Sequence, residues 1–137
     1  MRQLQLIIIT IIMLTGCEDK AMVNIYKPAI KEKKIECLKL SISPPSNSIE
    51  RTMNTLYHFD NSCSLTLEVS YKNGIVCNSN QNVDKKALTA FPKSYLRMEL
   101  REGFTLQYSY YKDLNSDIDT KELTKAFERI EEDLNIK

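Results

Sequence analysis

The residue types that commonly perform hydrolytic chemistry occur close together once, at His58, Asp60 and Ser62. In a Ser–His–Asp triad the histidine takes the proton of the attacking serine, and the carboxylate orients the imidazole. Here the three residues follow one another at the end of a predicted helix, whereas triad members normally come from separate elements. The G-x-S-x-G turn that exposes a nucleophilic serine does not occur in the sequence. The sequence therefore predicts a protein that is not an enzyme and has no catalytic residue.

Metal and phosphate chemistry have equally few residues to work with. His58 is the single histidine, and the four cysteines lack the C-x₂-C spacing of common zinc sites. The three glycines form no Gly-rich phosphate loop. We therefore expect no metal, no cofactor and no small-molecule substrate.

The N-terminal segment carries the clearest functional signal. Arg2 precedes an apolar run over residues 6–14, which is too short to cross a bilayer and has the length of a signal-peptide core. The run ends at Leu14-Thr15-Gly16-Cys17, which resembles the lipobox of bacterial lipoproteins. The resemblance implies that residues 1–16 are a signal peptide and that Cys17 carries the lipid. The alternative is a buried apolar helix that ends at a cysteine by chance.

A lipid anchor implies a place in the bacterial cell envelope. Two or three acyl chains anchor a protein stably, since each buried methylene contributes about 0.8 kcal/mol. Glu18 stands where inner-membrane lipoproteins of enterobacteria have aspartate, which favours the outer membrane, with the domain facing the periplasm. Residues 17–34 are polar and lysine-rich and are predicted to form a tether. A partly helical first element over residues 27–34 is the alternative.

The other cysteines, Cys37, Cys63 and Cys77, would meet an oxidising compartment in the periplasm. Their odd number predicts one disulfide and one thiol. Strand alternation puts Cys37 and Cys77 on polar faces, and it puts Cys63 on the opposite side of its predicted hairpin from Cys77. The sequence therefore predicts the disulfide Cys37–Cys77.

The composition is that of an ordinary globular domain. The chain has 137 residues, of which 42% are hydrophobic, with 19 Lys+Arg against 18 Asp+Glu. This balance excludes the basic surplus that a nucleic-acid-binding surface needs. Beyond the predicted tether, residues 35–137 are expected to form one domain.

Periodicity places the first elements of that domain. Apolar residues alternate over residues 35–43, as in a half-buried strand, and Pro44-Pro45 ends the pattern. Helical spacing predicts a helix over residues 46–59, and residues 60–62 are typical of a turn.

A first hairpin is predicted around Asn73-Gly74, the pair most favoured in two-residue hairpin turns. Residues 65–71 alternate as one strand, and residues 75–78 are predicted as the return strand. A short helix over residues 85–91 ends before Pro92.

A second hairpin is predicted around Gly103. A three-residue loop over residues 101–103 places Gly103 in the left-handed position that such loops require. This loop opposes apolar side chains to one another, whereas a two-residue turn at residues 102–103 would oppose Leu106 to Glu99. The predicted pairs are Leu100 with Phe104, Met98 with Leu106, and Leu96 with Tyr108.

The chain closes with an amphipathic helix that Asp119 is predicted to cap, with Glu122 three residues on. Its apolar stripe comprises Leu123, Ala126, Phe127, Ile130 and Leu134. These patterns predict an α+β fold. In it, two hairpins and an N-terminal strand form a small antiparallel sheet, packed by this helix and one or two shorter helices.

One face of the second hairpin is predicted to bind a protein partner. Alternation projects four residues outward, opposite the apolar Leu96, Met98 and Leu100: Tyr95, Arg97, Arg101 and Tyr111. Tyrosine and arginine are enriched at the energetic centres of protein interfaces. The alternative is that the aromatic residues of this hairpin only build the core of the sheet.

The block over residues 94–104, then residues 108–114 and the acidic amphipathic helix resemble small lipoproteins encoded beside type VI secretion effectors. The resemblance covers the last third of the chain. It implies an immunity protein that binds an incoming phospholipase effector, so that the effector cannot attack the membrane. Two other classes fit the same residues: a pilotin-like lipoprotein that escorts a secretin subunit, and an envelope scaffold.

Overall fold

A computed structural model describes residues 20–76 and 91–137 of the chain. Its elements are β1 (Met22–Ile25), a 3₁₀ helix (Pro28–Lys31), β2 (Lys39–Ser43), α1 (Asn47–Leu56), β3 (Leu65–Lys72), β4 (Ser94–Glu102), β5 (Thr105–Leu114) and α2 (Thr120–Asp133). The five strands form one sheet in the order β1-β5-β4-β3-β2. The α+β class is therefore as predicted.

The sheet is mixed, whereas the sequence predicted an antiparallel one. β2 lies parallel to β3, and the other neighbouring strands are antiparallel. The parallel pair arises because the chain passes from β2 to β3 through α1, and such a crossover returns the second strand in the same direction.

Both helices form where capping residues and apolar spacing predicted them. The Ser46 side chain accepts a hydrogen bond from the Ile49 amide at the start of α1, at 3.4 Å. The Asp119 Oδ1 atom accepts one from the Glu122 amide at the start of α2, at 2.8 Å. The predicted stripe of α2 is buried. It joins one core with Ile49 and Met53 of α1 and with the apolar face of the sheet, so both helices lie on that face.

The predicted tether needs correction, because residues 22–31 belong to the folded domain. β1 pairs with β5 from Met22↔Tyr111 to Ile25↔Tyr108. Ile30 of the 3₁₀ helix is 3% exposed and joins the core. The lysine-rich composition of this segment led to the prediction of a tether. Its few apolar residues are enough to fold it against the domain, because β5 provides a strand edge with which it pairs. The alternative of a partly helical element matches the 3₁₀ helix.

The predicted first hairpin is wrong, because β3 lies between β4 and β2 and both of its sides are paired. Residues 75 and 76 of the predicted return strand are not in a strand, and residues 77 and 78 lie outside the described residues. The register of β3 with β4 runs from Leu65↔Glu102 to Lys72↔Tyr95, which a return strand of four residues cannot match. Gly74 has φ +63°, as a turn residue does, but Ile75 donates its amide to the Lys93 carbonyl and lies outside any strand. The predicted short helix lies outside the described residues except for its last residue, Phe91, which is not helical.

A second hairpin forms around Gly103, but the predicted three-residue loop over residues 101–103 and the three pairs that it implied are wrong. Gly103 has φ +59°, and a two-residue turn at Gly103-Phe104 joins Glu102 to Thr105. Leu100 pairs with Tyr108, and Met98 pairs with Tyr110. Most of this difference comes from the position of the turn, and the register shift in β5 between Leu100 and Arg101 adds one further residue to it. Such a bulge adds a residue to one strand and reverses its alternation.

Candidate functional site

The face of the sheet opposite the helices carries all four predicted binding residues. We call this surface the open face and define it by six residues of β3, β4 and β5: Glu68, Tyr95, Arg97, Glu99, Arg101 and Tyr111. Strand alternation places them there, because the intervening Leu96, Met98 and Leu100 are 0% exposed in the core. The pairing of β4 with β5 then places Arg97 directly opposite Tyr111. In residues 20–76 and 91–137, both α-helices lie on the other side of the sheet.

Two tyrosines form the aromatic part of the open face. The rings of Tyr95 and Tyr111 stack with centroids 5.8 Å apart and planes inclined by 23°. The Tyr111 hydroxyl donates to Asp113 Oδ1 at 2.7 Å. Desolvation, and next this hydrogen bond, raise the pKa of Tyr111 to about 12. At neutral pH the phenol is therefore uncharged, and the side chain is held by the stack with Tyr95 and by the hydrogen bond to Asp113.

Alternating charges form the polar part of the open face. Glu99 is only 8% exposed, and its carboxylate accepts from Arg101 Nη2 at 2.7 Å and lies 3.6 Å from Arg97 Nε. Arg101 Nε also lies 3.0 Å from the Glu68 carboxylate. The hydrogen bond to Glu99 is the main reason that the pKa of Arg101 is raised. Two arginines and two glutamates thus hold each other in place and nearly cancel in charge.

Sequence reasoning identified the two arginines but not their carboxylate partners. Glu99 stands between Arg97 and Arg101 on the same side of β4, so alternation already indicated that it belongs to this face. Glu68 joins them only through the pairing of β3 with β4, in which it lies opposite Glu99. The contact of Glu68 with Arg101 could therefore be recognised only from the tertiary structure.

The open face combines the chemical groups that are common in protein interfaces. It offers stacked aromatic rings, guanidinium edges and carboxylates whose positions are fixed by mutual hydrogen bonds. Side chains that are already held in place, such as the stacked tyrosines and the paired Arg101, lose less conformational entropy when a partner covers them than free side chains do.

Two of the three residues that were considered as a triad, Asp60 and Ser62, stabilise a turn. Asp60 Oδ1 accepts from both the amide and the hydroxyl of Ser62, at 2.8 and 2.7 Å. The hydrogen bond from the Ser62 amide, and next the one from its hydroxyl, lower the pKa of Asp60. His58 is exposed. In the described ranges, no three His, Cys, Asp or Glu side chains gather as metal ligands.

The predicted disulfide Cys37–Cys77 is corrected by the structure, which bonds Cys37 to Cys63 with Cα atoms 6.0 Å apart. Each of these cysteines lies two residues before a strand, β2 or β3. Because these strands are parallel neighbours, their preceding residues lie side by side. The prediction relied on the parity of a hairpin that does not form. Cys77 itself lies outside the described residues.

Cys17, the predicted lipidation residue, also lies outside the described residues. Of the helices that the structure describes, none is long and apolar enough to cross a bilayer.

Comparison with known proteins finds no matching family model, no matching curated protein and no matching solved structure.

Proposed function

We propose that this protein is a lipid-anchored periplasmic binding protein that acts as an immunity protein against a type VI secretion lipase effector. The observation that carries the proposal is the stacked Tyr95–Tyr111 pair beside the Arg97–Glu99–Arg101 network on the open face. A protein partner of matching shape would cover this face.

The charge balance of the open face bears on the kind of partner it fits. Because Glu99 and Glu68 neutralise the two arginines, the surface exerts little long-range attraction on a highly charged partner. Affinity would come from aromatic contact and from hydrogen bonds at close range. A folded enzyme surface of mixed polarity fits this description better than nucleic acid does.

The proposed anchor explains where such a protein would act. A lipid on Cys17 confines the domain to the membrane surface, which is where an incoming lipase meets its substrate. β1 begins five residues after Cys17, and a chain of that length spans at most about 17 Å. The domain would therefore stay close to the lipid headgroups.

A competition experiment between sibling cells tests the proposal. Cells that lack this protein should lose viability and membrane integrity beside a sibling that delivers the cognate lipase effector, and cells that carry it should survive. A sibling whose effector has no lipase activity serves as the control. Equal survival of deletion and wild-type cells beside the armed sibling would overturn the immunity proposal. Loss of a secretin from the outer membrane of the deletion strain would favour the pilotin-like alternative.

A further inference from the structure

Among residues 20–76 and 91–137, the outer edge of β2 has backbone hydrogen-bonding groups with no strand beside them. β2 is the last strand in the sheet order, and within the described residues no strand lies beyond it. In a parallel pair, alternate residues direct their N–H and C=O groups toward the neighbouring strand, and the residues between them direct theirs away. Alternate residues of Lys39–Ser43 therefore face outward along the edge, which is a template for another strand.

A groove of about 380 Å³ runs beside this edge, between β2 and α1. Leu40 and Ile42 contribute apolar side chains to it and are only half-buried. Their neighbours across the parallel pair, Leu67 and Val69, are 0% exposed. The core-facing side chains of β3 are therefore fully buried, whereas those of β2 are partly exposed to solvent.

The wall that α1 contributes is polar. Asn54 and Glu50 both line the groove. Among the described residues, Glu50 is the one charged residue of the lining. Asparagine side chains both donate and accept, so they match the amide groups of a peptide backbone. Glu50 gives the groove a preference for a positive charge.

We propose that the groove formed by Leu40, Ile42, Glu50, Asn54 and Phe59, here called the edge groove, binds an extended polypeptide segment as an added strand beside β2. The segment has small apolar side chains directed at Leu40 and Ile42 and a basic side chain near Glu50. A helical segment fits less well, because its backbone groups are already paired internally and cannot pair with the edge. Pro44-Pro45 directly follows β2 and limits the added strand to a short segment.

The edge groove is separate from the open face, because it lies on the side of the sheet that packs against α1. Peptide binding at the edge groove is therefore independent of the proposed immunity function.

Synthetic peptides test the inference on the full-length protein. The probes are fluorescein-labelled peptides of alternating valine and serine, about seven residues long, with lysine, glutamine or glutamate at the centre. Fluorescence anisotropy should show binding in the order lysine, glutamine, glutamate, with several-fold steps. Glu50→Lys should reverse that order.

A matched pair of variants locates the site. Asn54→Trp fills the groove and should abolish binding, whereas Thr55→Trp, at the next exposed position of α1 and outside the edge groove, should leave it unchanged. Both variants should keep the wild-type melting temperature, which shows that the helix is intact.

Four outcomes would overturn the inference. They are no binding of any peptide at about 1 mM, equal binding by the Asn54→Trp and wild-type proteins, a helical circular dichroism spectrum of the bound peptide, and a dimer in which a second copy occupies the β2 edge.

Discussion

Gly103 carries a backbone conformation that few other residues tolerate. Its φ of +59° lies in the left-handed region, and an added Cβ atom would meet nothing within 4 Å, so any penalty comes from the backbone alone. We expect Gly103→Val to lower the free energy of unfolding by about 1–3 kcal/mol. Gly103→Asn is the matched control and should be tolerated better, because asparagine is enriched at positive φ. Thermal melts check both, and equal midpoints for the valine variant and the wild type would contradict the expectation.

Tyr111 and Arg97 are expected to be binding residues whose loss leaves the fold intact. Arg97 has a side chain that is 45% exposed, and Tyr111 contacts other residues of the open face. The double variant Tyr111→Ala, Arg97→Ala should weaken capture of the partner by about 2 kcal/mol, roughly thirtyfold in affinity, with a nearly unchanged melting temperature.

A second double variant serves as its control. Tyr26→Ala, Lys31→Ala removes an exposed tyrosine and a basic residue elsewhere on the surface and should leave binding unchanged. If the open-face variant unfolds, those residues belong to the core. If it folds and binds normally, the partner docks elsewhere.

At the scale of elements, the Cys37–Cys63 disulfide closes a loop that contains β2 and α1. The cysteines are 26 residues apart, and closing a loop of that size stabilises a fold by about 3 kcal/mol on a chain-entropy account. The double variant Cys37→Ser, Cys63→Ser should therefore lose about 2–4 kcal/mol in urea unfolding. Cys77→Ser is the matched control and should retain wild-type stability. A large loss in the Cys77→Ser variant would restore the pairing predicted from sequence.

β5 makes stability sensitive to alkaline pH. Burial raises the pKa of Tyr110 to about 12. Burial, followed by a hydrogen bond to Asp133, also raises the pKa of Tyr108. Since the folded state holds these protons more tightly than the unfolded chain, the stability they contribute is complete below pH about 10. It is lost as the pH rises through about 12.

Two measurements check this pH dependence. The melting temperature should fall above pH about 10, where tyrosine ionises in unfolded chains. Tyr110→Phe should remove one late phase from the absorbance titration of phenolate. A titration in which every tyrosine ionises near pH 10, with a constant melting temperature, would refute it.

For the whole molecule, membrane association is expected to depend on one residue. Cys17→Ser should abolish lipidation and leave the protein in the soluble fraction after cell lysis, because the lipobox supplies the proposed anchor. Palmitate labelling and membrane flotation measure this, and Cys77→Ser should behave as wild type. A Cys17→Ser protein that still takes up palmitate and floats with membranes would exclude the anchor.

Local periodicity and local side-chain chemistry were enough to predict the helix caps, the two sides of β4 and the turn at Gly103. Asp119 and Ser46 cap helices because their side chains reach amides three residues away, within one turn. Alternation in β4 was enough to put Tyr95, Arg97 and Arg101 on one face, since side chains of a strand point to opposite sides in turn. Gly103 marked its turn because glycine adopts positive φ without strain.

The order of the strands in the sheet could not be predicted from local patterns. A strand can form the same backbone hydrogen bonds with any neighbouring strand. β3 pairs with β4 and not with residues 75–78 because β4 is longer and buries more apolar surface. A short stretch of sequence does not show this difference. The parallel pairing of β2 with β3 then brought Cys37 to Cys63 and left the edge groove beside β2. The turn at Gly103-Phe104 and the register shift in β5 decided which residues of β4 and β5 are paired, so that Leu100 lies opposite Tyr108 and not opposite Phe104.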